Sequence, residues 1–284
     1  MTRGQPRVAG EVCPLDEFAC SADDAGVSRW ARVRQYTAIA VGGAGLLVAV
    51  GFALYWQLPS LWSHLFWTSA VVLPVYVVAV WLVRRRPDHP QARRLLLIAA
   101  ASAVGVGLES VVRGVYRDSG PNDWLWVAGV AHQYTYLLTA VATGVLLASY
   151  PDGVVERRWQ RWVVRAMWWQ LALPPLLLVT RPNLLISPYL FDSPLQTQVA
   201  SPFAVTWLAP FGRPLELLYV SYAGALLGML VLLIRYLQAD RVQRRQMRLL
   251  VYSMAAGVLV VAAASAMTIL GVPSDSFWFE LIGM

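Results

Sequence analysis

Residues 95–115 read LLLIAAASAVGVGLESVVRGV, directly behind the pair Arg93-Arg94. Only Glu109 and Arg113 are charged in these 21 residues, and at 1.5 Å per residue a helix of this length spans about 32 Å. The hydrocarbon core of a bilayer is about 30 Å thick, so the stretch predicts a membrane-crossing helix. Six further stretches satisfy the same criterion, at 36–56, 61–83, 124–149, 162–180, 215–236 and 249–270. An eighth begins at Phe277, and the eight residues to Met284 reach only about 12 Å as helix. The fold expected is therefore an all-α polytopic transmembrane helical bundle, with seven complete spans and the start of an eighth. Residues 1–35 form a polar N-terminal segment and 36–284 the membrane domain.

Composition agrees with that pattern. Of 284 residues 58% are hydrophobic and only 14% charged, with a mean hydropathy of +0.53, whereas a soluble domain carries about 25% charged residues. A soluble enzyme and a disordered chain are thereby excluded. The net charge of +7 comes from 23 basic residues, every one of them Arg. They fall in short clusters between apolar runs, which points to membrane orientation and not to nucleic acid. Residues 1–35 lack the apolar core of a secretory signal, so the first span is expected to direct its own insertion. Cys13 and Cys20, the only cysteines, provide neither a disulfide framework nor a zinc site.

Counting Arg on alternate connections gives 19 on the side of the N-terminus and four on the other, namely Arg113, Arg117, Arg181 and Arg213. The positive-inside rule then places the N-terminus in the cytoplasm of a cell-membrane protein. Trp56, Trp62, Trp67, Trp124 and Trp126 mark the outer headgroup layer, and Trp81, Trp159 and Trp162 the inner one.

The longest outer connection, 181–214, holds six prolines, which predicts an extended or turning lid without regular helix. Ionisable residues within spans cost about 2.5–3.5 kcal/mol each and mark candidate sites. Glu109 and Arg113 stand four apart on one helix face, where they can pair. With His132, Glu216 and Glu280 they are expected in the outer leaflet as ligand-sensing candidates lining a polar pocket. The bland alternative is an internal ion pair with a histidine satisfied by a neighbouring hydroxyl. Gly224 and Gly228 form a GxxxG spacing, assigned first to helix packing within the chain and second to a homodimer. Pro74, Pro174 and Pro175 predict kinks in the second and fifth spans. No phosphate-binding loop, HExxH or Gly-x-Ser-x-Gly occurs, and His64, His89 and His132 lack metal-ligand spacing. No catalytic residue, metal or cofactor is assigned.

Tyr150-Pro151-Asp152-Gly153, followed by Glu156-Arg157-Arg158-Trp159, resembles the Phe-Pro-Asp-Gly-Arg then Arg-Trp signature of the membrane domains of actinobacterial sensor histidine kinases. The stretch from Arg244 to Leu250, RRQMRLL, is similar to the Arg-x-Gln-x-Arg-Trp-Leu that opens their seventh span. Tyr150 stands for Phe, Leu249 for Trp and Val154 for Arg. Pro-Asp-Gly is also sound turn chemistry in its own right. The resemblance implies the sensory membrane half of a two-component system. A phosphoacceptor His, an ATP-binding domain and contact with a response regulator would then belong to a region beyond this chain. The alternatives carried alongside are a transporter or permease-type subunit and a complete seven-span protein of scaffold or receptor type. The bilayer is the partner expected in every case.

Overall fold

The structure, a computed structural model, describes residues 17–56, 65–120, 124–151, 153–155, 157–184, 199–221 and 223–269. The start of the expected eighth span lies outside them. The described residues are almost entirely helical: α1 (Glu17–Trp56), α2 (Leu73–Arg85), α3 (Pro90–Ser119), α4 (Leu125–Ala148), α5 (Arg158–Trp169), α6 (Leu173–Thr180), α7 (Ala209–Val220), α8 (Ala223–Gln238) and α9 (Arg241–Ile269).

Among the described residues four helical segments are long and apolar enough to cross a membrane: Trp30–Trp56, Thr68–Arg85, Pro90–Ser119 and Arg158–Thr180. The bent pair α7–α8 makes a fifth if taken as one span. The coarse expectation of an all-helical, membrane-spanning chain therefore holds. At the expected fourth span stands α4, whose run His132-Gln133-Tyr134-Thr135-Tyr136 dilutes its apolar character.

Cross-contacts give the threading. Near the N-terminal side, the Gln35 side chain donates to the Pro87 carbonyl at 2.8 Å. At the other end of α1, Arg117 donates to the Trp56 carbonyl at 3.1 Å, so α1 and α3 run parallel. α4 runs antiparallel to α3, with Ser102 opposite Thr139 and Gln91 bonded to Ser149. α8 runs parallel to α4, pairing Val141 with Gly224 and Ala148 with Arg235. Alternate connections thus return to the same end of the bundle, and the arginine clusters of 84–94, 157–165 and 235–248 gather there.

The centre is α3, 67% of whose most apolar stretch is buried, against 22% for the segment containing α2. Its enclosed face is built of small residues: Ala99, Ala100, Ala101, Ala103, Gly105 and Gly107. Lipid is as apolar as leucine, so helices in a bilayer gain by close van der Waals approach, which small side chains permit. α1 accordingly lies with Gly45 against the backbone of Ala103 and Gly107. Gly144 of α4 meets Gly228 and Gly224 of α8. A Cβ on Gly144 would stand 2.1 Å from the Gly224 carbonyl oxygen, so α4 and α8 touch backbone to backbone.

Three local differences from the sequence reading have physical causes. α1 begins at Glu17, well before the expected span, because nothing in 17–35 breaks a helix except one glycine. The expected kinks at Pro74 and Pro174 take the form of helix restarts. A π-helical turn (Trp67–Val72) precedes α2, a 3₁₀ turn (Gln170–Ala172) precedes α6, and each proline sits in the first turn of the new helix, where a missing N–H costs nothing. The Pro-rich connection does contain regular helix, contrary to expectation: α7 begins at Ala209, with Pro210 in its first turn and Pro214 inside it. Pro210 is tolerated for the same reason. Before α7, β1 (Asn183–Leu184) pairs antiparallel with β2 (Val199–Ala200).

Candidate functional site

Two polar clusters lie at opposite ends of the bundle. Near the arginine-poor end, Glu109 and Arg113 are one turn apart on α3, and the guanidinium donates to the Glu109 carboxylate at 2.8 Å. Glu109 is buried, and Arg113 is largely enclosed. Across from them on α4, His132 is buried and its Nδ1–H donates to the Gly105 carbonyl at 3.0 Å. Nε2 of the same ring is buried and makes no hydrogen bond among the described residues. The ion pair is intrahelical and does not itself tie helices together. The imidazole does make an interhelical tie, held by a backbone carbonyl and not by the hydroxyl expected. Gln133, wholly buried beside it, adds a further amide.

The hairpin β1–β2 closes this end. Leu184 and Val199 pack on Val112 of α3 and Leu125 of α4, and Phe203 meets Trp126 edge to face at 5.4 Å. Ser201 fixes the hairpin by donating its N–H to the Pro182 carbonyl at 2.8 Å and its hydroxyl to the Leu178 carbonyl. The covering role expected of the 181–214 connection is thus filled in part by two short strands.

Of the five sensing candidates, the structure brings Glu109, Arg113 and His132 together. Glu216 instead pairs with Arg181 at 2.7 Å, joining α7 to the end of α6. Glu280 lies outside the described residues. Gly224 and Gly228 face α4 of the same chain.

The second cluster surrounds the turn after α4. The Tyr150–Pro151 peptide is cis, and Gly153 has φ +78°, a left-handed conformation that suits glycine. A Cβ there would also strike the Pro90 ring at 2.6 Å. Asp152 lies outside the described residues. Three elements grip this turn. From α3, Gln91 donates to the Ser149 carbonyl at 3.1 Å, while Arg94 donates to the Gly153 carbonyl at 3.1 Å and to the Ser149 hydroxyl. From α8, Arg235 donates to the carbonyls of Ala148 at 3.0 Å and Val154 at 3.1 Å. The Tyr150 hydroxyl donates to the Gln246 carbonyl of α9 at 3.3 Å. Sequence reading found the turn but not its clamps. Ser149, Arg94 and Arg235 carry no motif, and only a search for cations one turn from a helix end would have singled out Arg94 and Arg235. His89 is exposed and accepts from the Gln91 N–H at 3.2 Å to cap α3.

A third contact was not anticipated. Gln170, in the 3₁₀ turn between α5 and α6, accepts the Gly224 N–H on its side-chain oxygen at 3.0 Å. Gly224 stands just past the break between α7 and α8, which are bent by 44°. The amide oxygen replaces the helical carbonyl that the break removes. Two interrupted helices therefore meet at one hydrogen bond inside the bundle.

Among the described residues no group of three or more His, Cys, Asp or Glu side chains is placed to hold a metal ion. Comparison of the chain with family models, with curated proteins and with solved structures finds no match in any of the three.

Proposed function

We propose that the chain is the membrane input region of a signal-transducing protein of the sensor histidine kinase type, lying in the cell membrane with its N-terminus and arginine-rich end in the cytoplasm. In this reading the seven-span threading is complete, the Glu109–Arg113–His132 cluster beneath the hairpin is the sensing site, and the turn at 149–154 relays its state. A cytosolic kinase region and a response regulator would receive the output, and a homodimer would present it. The observation that carries the proposal is the turn itself. The residues that resemble the kinase-family signature are those gripped at once by α3, α8 and α9. A displacement of α3 at its charged end would reach α9 through this turn, as a shift between two packed arrangements a few kcal/mol apart.

Sequencing the coding DNA beyond the Met284 codon tests the reading. A frame continuing into a phosphoacceptor His and an ATP-binding region is expected, and a stop codon at that point would overturn it in favour of a complete seven-span protein. Where the frame continues, Glu109→Gln in the full-length protein is expected to change autophosphorylation in membranes when activity is expressed per amount of folded protein.

A second reading, transport, is favoured by the junction of two interrupted helices at Gln170 and Gly224, since broken helices near the midplane line the sites of many transporters. Proton flux into proteoliposomes of the purified chain, followed with a pH-sensitive dye and abolished by His132→Ala, would establish it.

A further inference from the structure

The arginine-rich end carries more charge than the turn consumes. Arg94 and Arg235 are spent on backbone carbonyls, and Arg244 bonds the Leu237 and Ala239 carbonyls that end α8. Six others form two stripes. Arg158, Arg161 and Arg165 follow one face of α5, and Arg241, Arg245 and Arg248 one face of α9. All six are exposed, and none pairs with an acidic side chain among the described residues. Asp240, which directly precedes Arg241, is engaged in capping α9, accepting the Gln243 N–H at 2.8 Å.

Both stripes begin beside the turn after α4. Arg235 bonds the Val154 carbonyl on the approach to α5, and Tyr150 bonds the Gln246 carbonyl within the first turns of α9, so both helix starts flank one turn. Each stripe rises about 10 Å along its helix, comparable to a headgroup layer of about 6–7 Å with allowance for bending arginine stems. Their upper members lie over aromatic rings of the kind that anchor at that layer: Arg165 over Trp162 at 5.2 Å and Arg248 over Tyr252 at 5.3 Å. Both rings are exposed on the bundle surface.

We infer that the starts of α5 and α9 together form a binding site for the phosphate headgroup of an anionic phospholipid, whose acyl chains lie alongside Trp162 and Tyr252. The guanidinium forks are suited to bidentate contact with phosphate oxygens. The inference rests on the membrane placement and sidedness of the proposed function, but not on a signalling role. A stop codon after Met284 would leave it untouched.

Native mass spectrometry of the chain released from nanodiscs of mixed phosphatidylglycerol and phosphatidylcholine is the test. Wild type is expected to retain phosphatidylglycerol preferentially. The triple variants Arg158→Gln/Arg161→Gln/Arg165→Gln and Arg241→Gln/Arg245→Gln/Arg248→Gln are each expected to lose that retention by about tenfold or more. The corresponding Lys triples, which preserve charge and hence insertion, are expected to keep most of it, short only of what bidentate contact adds. No preference in wild type, unchanged retention in both Gln triples, or displacement of the lipid by millimolar inorganic phosphate would overturn the inference. The wild-type comparison decides even where a triple variant fails to fold.

Discussion

Glu109 shows how a charge is kept inside the bundle. Its carboxylate meets Arg113 at 2.8 Å, and both are mostly shielded from the surroundings. Removing one partner from a buried pair leaves an uncompensated charge and typically costs about 3–5 kcal/mol, whereas removing both is far milder. Glu109→Gln is therefore expected to lower stability toward chemical denaturation by about 3 kcal/mol, the lower end of that range because Arg113 retains some exposure. Glu109→Gln/Arg113→Gln should recover more than half of the loss. If the double variant is worse than the single one, the pair is not the dominant partnership of either group. Gly144 poses the opposite problem, too little room. Gly144→Ala would force α4 and α8 apart, and a drop of about 1–3 kcal/mol is expected in the same assay. The ion pair was legible because two ionisable residues four apart in an apolar run have few other arrangements open to them. Gly144 was not, since its role depends on which helix the fold lays against it.

The helices themselves were largely readable, because about 20 apolar residues in a row have few other fates. Their interruptions were not. The restart after the 3₁₀ turn at Gln170 was foreshadowed by Pro174 and Pro175, but the break between α7 and α8 has no proline at its centre and depends on Gln170 from another helix to satisfy Gly224. Gln170→Leu, close in volume but unable to accept, leaves that N–H without its acceptor at a cost of about 1–3 kcal/mol. A thermal midpoint that falls for Gln170→Leu and is restored by Gln170→Glu in acid, where the carboxyl is neutral and its carbonyl oxygen can accept, would locate the effect in the accepting oxygen. An equal fall for both would assign it to packing. The turn after α4 makes the same point from the other side. Its glycine was foreseen as a turn residue, and Gly153→Ala meets both a left-handed backbone and the Pro90 ring. A loss of at least about 1 kcal/mol is expected on the same thermal measurement, without change in helix content by circular dichroism.

At the scale of the whole molecule, the uneven distribution of arginine and the alternation of connections are one fact seen twice. Helices that turn back at each connection bring every second connection to one end, and hydrogen bonds from Gln35, Arg94, Arg235 and Tyr150 show those connections in contact there. Arginine clusters resist transfer across the bilayer, so the end that gathers them is expected to stay in the cytoplasm. The opposite end, with the hairpin and the Arg181–Glu216 pair, is expected to face outward. Ala204 is exposed at that end and Gln243 at the other, which makes them suitable reporters in a background where Cys13 and Cys20 are replaced by Ser. In intact cells an impermeant maleimide should label Ala204→Cys at once and Gln243→Cys only after permeabilisation. The reverse pattern would invert the protein, turn the Glu109–Arg113–His132 cluster toward the cytoplasm, and remove the physical basis for reading it as a sensor of the cell exterior.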